Sequence, residues 1–155
     1  MRRLPFAAFV TWLSLFAASP AKAQVLLQPQ ATPTGSLAVI VNARCGVAVL
    51  TRNEVINIFF GRYRQFFNGR EAHPVDLEDR HPLRGQFYRR LVGKSLSEIN
   101  AYWSRQIFSG RMQALPKVAT PEEVVKWVAA NPCGIGFVEE AKVDARFNIV
   151  HELAP

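Results

Sequence analysis

The chain has 155 residues, 49% of them hydrophobic and 20% charged, with 19 Lys and Arg against 12 Asp and Glu. That balance excludes a highly charged disordered chain, and the length suits one globular domain. The net charge of +7 favours an anionic ligand, but no Lys/Arg-rich run is present, so nucleic acid is not an expected partner.

The first 23 residues have the three parts of a bacterial secretory signal: Arg2-Arg3, an apolar run from Leu4 to Ala18, and Ala21-Lys22-Ala23 as an A-x-A cleavage site. The apolar run is shorter than the ~20 residues of a spanning helix. Residues 1–23 are therefore expected to be a cleaved signal peptide and the protein to be periplasmic, starting at Gln24. No Cys follows the cut to carry a lipid. Three of the bases leave with the signal, which lowers the net charge to +4. Residues 24–36, with Pro29 and Pro33, have no period and are expected to form an extended leader.

Leu37 to Val41 is an unbroken apolar run rich in β-branched residues, the pattern of a strand buried on both faces. Asn42 to Gly46 breaks it as a loop. Thr51 and Glu54 form a capping box for a helix that places Val55, Ile56, Phe59 and Phe60 on one face and stops at Gly61. A connector follows and closes at the Asn68-Gly69 turn signal. His73 to Leu77 is expected to be one short strand with Pro74 at its start.

Pro82 fits the first position of a second helix, on which Leu83, Phe87 and Leu91 stack, and Gly93 ends it. Ser95 and Glu98 form another capping box. The third helix is expected to turn Leu96, Ile99, Trp103 and Ile107 to the core. Arg111 to Ala119 is expected to be a loop. Thr120-Pro121-Glu122-Glu123 starts a fourth helix, with Val124, Val125 and Val128 inward. Cys133 to Val138 is a second buried strand with two glycines, Glu139 to Asp144 a helical turn, and Phe147 to Val150 a last strand. Strands alternating with capped helices predict an α/β fold, a small mixed sheet flanked by helices.

Four segments carry a family resemblance. They are L-T-R-x-E followed by I-F-x-G (Leu50 to Gly61), F-Y-R-R-L-V-G-K-S (Phe87 to Ser95), W-x-R-x-x-F-S-G (Trp103 to Gly110) and N-P-C-G-I-G-F-V (Asn131 to Val138). In this order they resemble the second lobe of phosphate-type periplasmic substrate-binding proteins. The resemblance runs from about Leu37 to Val150. It implies that residues 37–155 are a single binding-protein-like lobe of a two-lobed fold, with no enzymatic activity and no cofactor.

The resemblance also implies a site. The family binds phosphate in this lobe at a helix start, through an Arg and an S-G-T segment. Those three positions fall on His81, Pro82 and Leu83, and the Arg near Leu77, so both hydroxyls are missing and Pro82 removes one N–H donor. Arg80 and Arg84 are the nearby replacements. The candidate ligand set is thus Arg80, His81, Leu83 and Arg84, holding inorganic phosphate or another small oxyanion at the helix start. The other reading is a capped, solvated helix terminus with no ligand. A lone lobe offers half a cleft, so a second copy of the chain or a transport or sensor partner is expected.

In the family, the two buried strands lie side by side and antiparallel. That arrangement implies a disulfide between Cys45, at the end of the first, and Cys133, at the beginning of the second, in an oxidising compartment. Two separate thiols are the alternative. No metal is expected, because His73, His81 and His151 stand far apart with no ligand spacing, and no nucleophile motif is present.

Overall fold

In the computed structural model, which describes residues 35–155, the fold is built outward from β1 (Leu37–Asn42). All six residues of β1 are buried, as the apolar run requires. It lies between β5 (Gly134–Glu139) and β6 (Phe147–Leu153) and runs antiparallel to both. β2 (His73–Pro74) pairs parallel with the outer edge of β5, giving the sheet order β2-β5-β1-β6. The pairing of β1 with β6 shifts register between Val39 and Ile40, a bulge in the ladder. Residues 1–23, read as a signal, and 24–34 of the leader lie outside the described residues.

The helices form where their caps specify. α1 (Arg52–Phe59) starts at the Thr51/Glu54 capping box and α3 (Leu96–Phe108) at the Ser95/Glu98 box. α2 (Pro82–Val92) ends at Gly93, which is left-handed, and α4 (Pro121–Ala130) starts at Thr120 with Pro121 in the first turn. Phe59 of α1, Phe87 of α2 and Phe137 of β5 meet in one aromatic cluster. Phe87 and Phe137 stack at 3.8 Å, and Phe59 stands edge-on to them at 4.9 and 5.8 Å. This cluster joins two helices to the sheet and dominates the core by area.

α4 lies directly on β5, and the two glycines of that strand allow it. A Cβ on Gly136 would come within 2.5 Å of Val124 Cγ1, and one on Gly134 within 2.8 Å of the Val128 backbone. The far end of α4 is fastened from β1. Asn42, buried, donates through Nδ2 to the carbonyls of Val128, Ala129 and Asn131 at 3.0–3.2 Å, while its Oδ1 accepts from the Arg44 amide. One side chain thus reaches three carbonyls, of which those of Val128 and Ala129 are left open by the helix end.

Several elements differ from expectation. His73 to Leu77 is two strands: Val75 separates β2 from β3 (Asp76–Leu77), which pairs parallel with β4 (Lys117–Val118) in a second sheet. The 111–119 segment therefore contains a strand, called into being by the free edge of β3. Val125 is only partly buried. Ile107 is exposed, together with Ser104, Arg105 and Phe108, because the last turn of α3 has left the core.

Candidate functional site

β3 and β4 run side by side, and each leads into a helix: β3 through Glu78 to His81 into α2, β4 through Ala119 and Thr120 into α4. Glu78 N–H donates to the Val118 carbonyl at 3.0 Å, which holds the two connections together. Two helix N-termini thus emerge at one end of the small sheet. This is the geometry in which a fold can present backbone donors and dipole ends to an anion.

Here those donors are engaged from within. His81 is the N-cap of α2, and its Nδ1 accepts the Leu83 N–H at 3.2 Å. Arg84 N–H donates to the His81 carbonyl, and Pro82 has no N–H. At α4, Thr120 Oγ1 accepts from the Glu123 amide and the Glu123 carboxylate accepts from the Ala119 amide. The acids Glu122 and Glu123 occupy its first turn.

The predicted ligand residues separate into two pairs. Arg80 is exposed and His81 half-buried, both at the start of α2. Leu83 and Arg84, expected at the ligand, are 2% and 1% exposed and pack in the core. The Arg84 guanidinium is held by an internal network. Its Nε donates to Asp76 Oδ2 at 2.8 Å and its Nη1 to Asn100 Oδ1 at 2.9 Å, with Asp79 at 3.4 Å. Tyr88 donates its hydroxyl to the same Asp76 oxygen at 2.9 Å, and the Leu77 amide donates to Asp76 Oδ1. Arg84 also lies over the Tyr88 ring at 5.1 Å. Burial pushes the Asp76 carboxyl above its ordinary value, against the downward pull of Arg84 and the hydrogen bonds. Burial, with the Asp76 charge beside it, also keeps the Tyr88 hydroxyl protonated, well above its ordinary range.

The surface around this end is a mosaic of paired charges. Lys117 pairs with Asp79, and Lys142 with Glu122 and Glu139. Contact with Lys117 holds the Asp79 carboxyl below its usual value. Asp76 and Tyr88 are the residues that sequence reading missed. Asp76 sits in a segment that reads as a plain strand, and only its place eight residues before Arg84 could have suggested the pair.

His81 gives this end a pH response. Its pKa is lowered, first by burial and also by Lys142, against the pull of Glu122, Glu139 and Glu78. Only the neutral ring can accept the Leu83 N–H. A depressed histidine stabilises the fold fully above the unfolded-state value of 6.5 and loses that contribution as pH falls through its folded-state value. The cap is expected to contribute about 1 kcal/mol. Urea unfolding at neutral and mildly acidic pH should show this loss in the natural chain and not in His81→Asn, whose amide caps at both. An equal acid loss in both would remove His81 as its cause.

No protein-family model matches the chain, and no curated protein sequence does. Among the solved structures that share its fold are two phosphate-transport proteins. One is an ABC-type phosphate transport receptor from Vibrio cholerae, 17% identical, with a TM-score of 0.59 over 76% of this chain and 47% of the receptor. The other is a phosphate ABC transporter substrate-binding protein with bound phosphate from Clostridium perfringens, 16% identical, with a TM-score of 0.59 over 76% of this chain and 45% of that one. At these identities the likeness is one of fold. This chain spans about half the length of each, and its described residues have the mixed α/β fold of one lobe of such a protein.

Proposed function

We propose that the chain is an exported, non-enzymatic protein of the phosphate-transport substrate-binding type. Its role is a protein contact within a transport or sensing system, and it holds a small oxyanion only weakly. The shared fold supports the class. The observation that carries the weak-binding part is the inward turn of Arg84 onto Asp76 at the start of α2. One of the two arginines near that helix start is thereby used up inside the fold. An anion resting on one lobe also keeps much of its water, and its removal from water is not repaid.

A second reading keeps a phosphate-sized oxyanion at Arg80 and His81. It is favoured by Arg80, an exposed guanidinium beside the α2 start that forms no ion pair among the described residues. Isothermal titration separates the two. Protein isolated from the periplasm, beginning at Gln24, should bind phosphate, sulfate and small carboxylates no more tightly than about millimolar. Any such binding that disappears in Arg80→Ala supports the second reading. A monomer with sub-micromolar phosphate affinity would overturn the first, and full-length protein retained in the cytosol would overturn export.

A further inference from the structure

Charge is unevenly distributed on this chain. No Asp or Glu occurs between Glu54 and Glu71, nor between Glu98 and Glu122, and these two stretches carry six bases, among them Arg62, Arg64, Arg105 and Arg111. The fold packs the stretches together. Tyr102 of α3 donates its hydroxyl to the Phe60 carbonyl at 3.0 Å, the two rings meet edge-on at 4.9 Å, and Met112 Sδ lies 3.9 Å from the same hydroxyl. Arg62 lies over Phe60 at 5.8 Å, Arg105 shares a groove with Phe60, Tyr102 and the paired Lys94 and Glu98, and Arg64 lines a cavity of about 300 Å³ with Met112 and Glu71. Arg111 precedes Met112 in the chain. All four arginines are exposed, and none forms an ion pair among the described residues.

The same face carries the most exposed large apolar side chain among the described residues. Phe108, at the end of α3, is 96% exposed, with Ile107 beside it at 45% and Tyr63 between Arg62 and Arg64 at 50%. Leaving a phenylalanine in water forgoes the gain of burying it, and apolar groups gathered on a surface mark a contact. Asp79, Glu122 and Glu139 lie at the other site, around the start of α2, and pair with Lys117 and Lys142 there.

We propose that the face formed by Arg62, Arg64, Arg105 and Arg111 around the Phe108 tip docks on the surface of an anionic lipid bilayer. Unpaired guanidiniums fit phosphate oxygens in a fork geometry, which is the chemistry of a phospholipid headgroup layer. Phe108 projects from a helix end rather than lining a groove. A fluid interface accepts such a group without a matching pocket, whereas a protein partner would need one built for it. Basic groups close to an anionic leaflet strengthen attachment about fivefold each. Four of them with one aromatic give a reversible contact. This surface is distinct from the α2 start and does not depend on the oxyanion reading.

Co-sedimentation with vesicles tests it, using the protein as cells process it. Vesicles of equimolar phosphatidylglycerol and phosphatidylcholine should bind it at low salt, and pure phosphatidylcholine vesicles should not. Raising the salt should release it. Arg105→Glu with Arg111→Glu should weaken binding about twentyfold or more. Phe108→Ser should weaken it while keeping the preference for anionic vesicles. These side chains are exposed, so far-ultraviolet circular dichroism should be unchanged. Absence of binding to the anionic vesicles, or equal binding by the natural and charge-reversed proteins, overturns the proposal.

Discussion

Replacing Cys45 and Cys133 together by alanine is expected to lower the unfolding free energy by about 4–5 kcal/mol. The two residues are joined, with Cα atoms 4.8 Å apart and a sequence separation of 88. A loop of that length has a large closure entropy in the unfolded chain, and the cross-link removes it. Domains of this size have only about 5–15 kcal/mol in total, so the bond is a large share. Its surroundings add to the expected effect. The Asn68 amide donates to the Cys45 carbonyl at 2.9 Å, and the His73 N–H donates to the Cys133 carbonyl at 3.0 Å. Loss of the bond should therefore loosen the 68–73 segment as well as the strand ends. Urea unfolding of natural and Cys45→Ala/Cys133→Ala proteins measures the difference. If the double variant does not fold, unfolding the natural protein with and without reductant gives the same comparison. A loss below about 1 kcal/mol in both experiments would contradict the entropic account. Both sulfurs are buried, at 1% and 4% residue exposure. Reductant should thus act at the rate of opening, not of encounter, under native conditions.

The bond also shows which parts of the fold were legible in the chain. Leu37 to Val41 and Gly134 to Val138 read as buried strands from composition alone, because a strand with a neighbour on each side and a layer over each face has no polar side to display. The helix starts were legible because Thr51/Glu54 and Ser95/Glu98 satisfy backbone donors locally, and a local requirement leaves a local signature. The relative direction of the two strands was not in the residues. It came with the family resemblance, and the antiparallel register of Val41 with Ile135 is what brings the cysteines together.

What was illegible depended on partners distant in sequence. Asn42 reads as a strand breaker, yet its role is set by three carbonyls more than eighty residues away. The split of His73 to Leu77 into two strands depends on β5 on one side and β4 on the other, so no pattern within the five residues announces it. At the site, the arginines near the α2 start suggested a cationic cradle. An arginine three residues before Phe87 on a helix gives no sign of whether it points out to an anion or in to a carboxylate. Asp76 decides that, and Asp76 lies on another element.

Asp76→Ala is expected to cost about 3–5 kcal/mol, the range for breaking a buried ion pair by removing one partner. The substitution leaves the Arg84 guanidinium in the core with Asn100 as its remaining close partner and Asp79 at 3.4 Å. It also removes the acceptor of the Tyr88 hydroxyl and of the Leu77 amide. Arg84→Met is expected to behave differently. The carboxylate that remains keeps two hydrogen-bond donors and has a way to shed its charge, by taking up a proton. Burial already pushes that carboxyl upward, and without Arg84 nothing cationic in the core opposes it. A carboxyl with a raised folded-state pKa is stabilising below its unfolded value of 3.8, and that contribution is lost as pH rises through the folded-state value. The Arg84→Met protein should therefore be relatively more stable in mild acid than at neutral pH. Asp76→Leu/Arg84→Met, which removes both charges, should recover most of the loss, since an apolar replacement of similar volume is often neutral or better. The natural protein, Asp76→Leu, Arg84→Met and Asp76→Leu/Arg84→Met form a double-mutant cycle, read by urea unfolding at two pH values. If Asp76→Leu and Arg84→Met each cost less than about 1 kcal/mol at neutral pH and add without coupling, Arg84 is not held by Asp76 and is free to meet an anion at the start of α2.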